Sequence, residues 1–108
     1  MLATRSGWVM PLIAGLSVIG LTAPSAAVQL DRTTVVVTVT EANAHCLVET
    51  QTMSMEEAQT IASGFLKAQQ ISSEERNAVK GRSDFTDLMA TYIADQGGCR
   101  ALVKNLKQ

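Results

Sequence analysis

The chain has 108 residues, with nine Lys and Arg against ten Asp and Glu and a net charge of −1. That length holds at most one domain. The charge balance excludes a nucleic-acid binder, which needs a clear basic excess to neutralise phosphates.

Residues 1–27 read as an export signal. Arg5 supplies a short basic start, an apolar run without charge follows from Trp8 to Ala23, and Pro24 breaks it before Ser25 and Ala27, small residues at the positions a signal peptidase requires. Cleavage is expected after Ala27. The alternative is an uncleaved anchor, since the charge-free stretch is long enough for the ~20 residues that span a bilayer. Both readings place the remainder outside the cytoplasm, periplasmic or secreted, with membrane contact only if the segment is retained. Without Arg5, eight basic residues face ten acids, a balance of minus two.

Residues 28–53 are expected to form a strand-containing N-terminal segment. Thr33-Thr34-Val35-Val36-Val37-Thr38-Val39-Thr40 is a β-branched run with Val35, Val37 and Val39 on one face, which predicts a strand. Its partner would be residues 46–50 in a hairpin, or another molecule. A competing reading makes residues 41–50 a short helix capped by Thr40.

Residues 54–108 read as a helical domain. Ser54-Met55-Glu56-Glu57 is a capping box, and Ala58, Ile61, Ala62, Phe65 and Leu66 recur at helical spacing, predicting a helix over 55–70 with Glu56, Thr60, Ser63 and Lys67 in water. Ser72-Ser73-Glu74-Glu75 repeats the capping chemistry ahead of a short polar helix over 74–80. After a break at Gly81 to Asp84, the stripe Phe85, Leu88, Met89, Tyr92 and Ile93 predicts a helix over 84–96, stopped by Gly97-Gly98. A last helix over 99–107 places Cys99, Leu102, Val103 and Leu106 on one side. The expected fold is therefore mainly α: a small disulfide-closed domain of three to four helices preceded by a short strand or hairpin.

Cys46 and Cys99 are the two cysteines, and in an oxidising compartment they read as a single disulfide. Adjacent His45 and Cys46 do not make a base and nucleophile, because neighbours diverge by about 100° on a helix and by half a turn on a strand. His45, Met53 and Met55 are a candidate soft-metal set, since imidazole and thioether suit Cu(I); the structural alternative packs Met53 on Ala58 as a hydrophobic staple. Glu56-Glu57, Glu74-Glu75 and the pair Asp84 and Asp87 fall in first turns of helices, where carboxylates favour the dipole. Arg100, Lys104 and Lys107 form a basic stripe, a candidate partner-binding edge or a simple complement to the helix C-terminus. No phosphate loop, zinc-finger spacing, hydrolase elbow or calcium loop is present, and no cofactor is implied.

With its two widely spaced cysteines Cys46 and Cys99 and its helical pattern, the exported part resembles the small periplasmic acid-stress chaperones in architecture. That resemblance implies an exported helical domain closed by one disulfide. The function expected is a non-enzymatic binding, chaperone-like or accessory protein of the cell envelope with a protein partner there; the alternative is a copper-binding or redox protein.

Overall fold

The computed structural model describes residues 30–108. The expected export segment, residues 1–27, lies outside the described residues. Five helices follow in order among the described residues: α1 (Arg32–Glu49), α2 (Met55–Ala68), α3 (Ser73–Lys80), α4 (Phe85–Asp95) and α5 (Cys99–Leu106).

The expected strand over 33–40 is corrected. Those residues form the first half of α1, an 18-residue helix whose N-cap, Asp31, accepts a 2.8 Å hydrogen bond from the Thr34 amide. The helix also absorbs residues 41–49, so Thr40 lies mid-helix and caps nothing. The physical reason is position. The other four helices all pack on α1, which buries Thr34, Val37, Thr38, Thr40, Glu41, Ala42, Ala44 and Cys46 over a wide arc. A helix covered this way keeps only a narrow polar edge, here Arg32, His45 and Glu49, and shows little helical period in its sequence. Its stiff β-branched side chains, weak helix formers in isolation, are held by tertiary packing that outweighs the propensity deficit.

The core is three small clusters strung along α1. Near its start, Val37 meets Leu66, Ile71 and Val79, with Val36 and Phe85 beside them. At mid-length, Ala44, Ala58 and Ala62 form a close seam covered by Val48 and Met53. Toward its end, Cys46 packs with Leu102 and Val103 against Leu47, Tyr92, Ile93 and Cys99. Four of the eleven buried apolar residues are alanines, so the core is thin, and a domain this small gains from an added crosslink. The Cys46–Cys99 disulfide supplies it, joining residues 53 apart and tying the first residue of α5 to α1.

Both capping boxes form, with Ser54 and Glu57 exchanging bonds of 3.0 and 3.1 Å and Ser72 and Glu75 bonds of 2.9 and 3.1 Å. Each satisfies two free amides at a helix start and is worth about 1 kcal/mol. Gly97 and Gly98 stop α4, both at positive φ (94° and 100°), and the Gly98 amide donates to the Ile93 carbonyl at 2.9 Å. No helix among the described residues is long and apolar enough to cross a membrane.

Candidate functional site

Charged groups inside the unit are committed to holding it together. Glu41 is only 6% exposed, and the Arg76 guanidinium, reaching it from α3, also donates to Ser63 Oγ and Gln59 Oε1 at 2.8 Å each. One side chain thus links α1, α2 and α3. Lys80 Nζ stands 4.0 Å from the same carboxylate. At the start of α1, Arg82 grips Asp84 with two bonds of 2.8 and 3.0 Å and reaches Thr34 Oγ1 at 3.4 Å. The bond from the Arg82 guanidinium holds the Asp84 carboxyl below the usual carboxylate range, and the Thr34 backbone amide does the same for Asp31, with Arg82 contributing at longer range.

Two concave surfaces flank α2 where it lies on α1. The first is an apolar groove of about 230 Å³ between α1, α2 and α5, lined by Val39, Leu47, Ile61, Phe65 and Leu106 over an alanine floor. The apolar stripe of α2 is wider than its seat. Ala58, Ala62 and Leu66 lie at i, i+4 and i+8 and face α1, whereas Ile61 and Phe65 are turned roughly 80° away by the 3.6-residue period. Ile61 is therefore 56% exposed, Phe65 48% and, across the groove, Leu106 47%. Of the five stripe residues only Ala58, Ala62 and Leu66 are buried. Asn43 also lines this groove, its Oδ1 shielded from solvent without a hydrogen-bond partner.

The second surface is a cleft of about 350 Å³ on the other side of α2, lined by residues of α1, α2 and α4. His45 and Met55 both line it, and so does Met89 from α4, with Phe85 and Val48 as apolar walls. Met53 does not join them; it is seated on the Ala44, Ala58 and Ala62 cluster, the hydrophobic staple of α2. His45 Nε2 lies 3.8 Å from Glu49 Oε1, one turn further along α1. Among the described residues, no three His, Cys, Asp or Glu side chains converge to hold a metal ion.

Cys46 and Cys99 are bonded to each other. Arg100 and Cys99 border a shallow recess with Glu49, Thr50 and Gln51. Arg100, Lys104 and Lys107 are all exposed, with Lys107 one residue past the end of α5 as its C-cap. The residues the sequence pattern did not single out are Met89 and the groove-lining Val39, Leu47, Ile61, Phe65 and Leu106. Met89 was visible only as part of the α4 stripe, and Val39 only as part of a strand.

No family model, no curated protein and no solved structure matches the chain.

Proposed function

We propose that this chain is an exported, non-enzymatic module that works by contact, receiving an apolar helical segment of a partner protein in the groove between α1, α2 and α5. The observation that carries this reading is the contiguous exposure of Ile61, Phe65 and Leu106 around one groove, in a domain whose core is short of large apolar side chains. Single exposed apolar residues are ordinary, but a continuous apolar concavity marks a binding surface. From Val39 to Leu47 the groove floor follows α1 for about 12 Å, the length of two helical turns. Such a groove suits one amphipathic segment entered by side chains at i, i+3 and i+4. The disulfide is consistent with an oxidising compartment, and it holds α5, which carries one wall of the groove.

The test is suppression of light scattering by a heat-denatured client protein, with Ile61→Glu and Phe65→Glu as paired variants. Both positions are exposed, so a charge there leaves the fold intact while blocking an apolar guest. Suppression by the native protein, lost in both variants, supports the reading. Absence of suppression, or equal suppression by the variants, overturns it.

A further inference from the structure

We propose that the cleft on the α4 side of α2 is a soft-metal site in which His45, Met55 and Met89 bind one Cu(I) ion. The site is separate from the apolar groove and does not depend on it.

The donors come from three helices: His45 from the fourth turn of α1, Met55 from the first residue of α2, and Met89 from the second turn of α4. All three line the same cleft. Met55 is 66% exposed, the most exposed large apolar side chain among the described residues. Met53, two residues earlier, already staples this helix start, so packing does not account for Met55. Met89 is half-buried in the cleft wall. Unbranched thioether side chains adjust their sulfur position at small cost, which suits donors that close on an ion.

The chemistry of the set selects the ion. The thiols, which would otherwise dominate any soft site, are bonded to each other. The buried carboxylate bordering the cleft, Glu41, is taken by Arg76 and Lys80. What remains is one imidazole, two thioethers and the exposed Glu49 carboxylate, beside the apolar walls of Phe85 and Val48. Thioethers select Cu(I) over divalent zinc or the hard cations. Glu49, 3.8 Å from His45 Nε2, is within a small side-chain rotation of a hydrogen bond to that nitrogen. This would orient the ring and leave Nδ1 as the donor, in the way carboxylates commonly support a metal-bound histidine.

The experiment uses the full chain with its disulfide closed, Cu(I) maintained by ascorbate, and competition with a chromophoric Cu(I) chelator. One saturable ion per chain is expected. Met55→Leu, Met89→Leu and His45→Gln should each weaken binding by about tenfold or more, while Met53→Leu leaves it unchanged. Leucine conserves volume at the methionine positions, so the variants keep the fold. With Ag(I) as a redox-silent probe, the ε-methyl NMR signals of Met55 and Met89 should shift and that of Met53 should not. Three results would overturn the proposal: no saturable binding, binding equally sensitive to Met53→Leu, or Zn(II) binding as tight as Cu(I).

Discussion

Opening the Cys46–Cys99 disulfide should cost this domain a large share of its stability. The bridge closes a loop of 53 residues, and on the loop-entropy model such a crosslink removes about 14 cal/mol/K from the unfolded chain, about 4 kcal/mol at 25 °C. A domain of about 80 residues has only about 4–12 kcal/mol in total. At this size 1 kcal/mol moves the melting midpoint by about 4–8 °C, so reduction should lower it by about 16–32 °C. α5 should suffer first, since a helix of eight residues is marginal alone and is held otherwise by Leu102 and Val103. The assay is thermal melting followed by far-ultraviolet circular dichroism, with and without a phosphine reductant. Reduction keeps both side chains in place and so isolates the crosslink from any cavity at the buried Cys46; Cys46→Ala/Cys99→Ala is the second variant. Midpoints for oxidised and reduced protein within about 5 °C of each other would refute the reasoning, and would mean that the unfolded chain already keeps these ends together.

Three further outcomes are expected. Arg76→Met leaves the Glu41 carboxylate buried with only Lys80 at 4.0 Å; it should cost about 3 kcal/mol in a urea titration, with most of the loss recovered in Glu41→Met/Arg76→Met. Asp31 and Asp84 have carboxyls held below the ordinary range, so as pH falls the unfolded chain takes up their protons first. Their contribution is present above the unfolded value of about 3.9 and is lost as pH drops through the lower folded values; Asp31→Asn and Asp84→Asn should each flatten the acid limb of stability against pH, and unchanged acid limbs would count against these contacts. Thr38 has a buried hydroxyl with no partner, so Thr38→Val, nearly the same shape, should raise stability by about 1 kcal/mol in the same titration.

What was legible in the sequence was local. Ser54 with Glu57 and Ser72 with Glu75 announce helix starts because a capping box is satisfied within four residues, and both form as expected. The stripes of α2 and α4 and the Gly97-Gly98 stop also need nothing beyond their own neighbours, and two cysteines leave one pairing. One further signal is local: Asp31, a good N-cap, stands directly before the Thr/Val run.

Tertiary structure decided the rest. The run from Thr33 to Thr40 carries the composition of a strand, and it is a helix because four other helices enclose it, a condition set by residues as distant as Leu102. The α2 stripe shows that Ile61 and Phe65 are apolar, but α1 is narrower than the stripe, and only its placement leaves those two side chains open beside α5. Met53 and Met55 enter one candidate metal set in the sequence; in the fold Met53 packs on the alanine seam, while Met55 lines a different cleft together with His45 and Met89. Short-range hydrogen bonding and periodicity are written along the chain, whereas exposure and convergence depend on which faces meet, and those were decided by packing around α1.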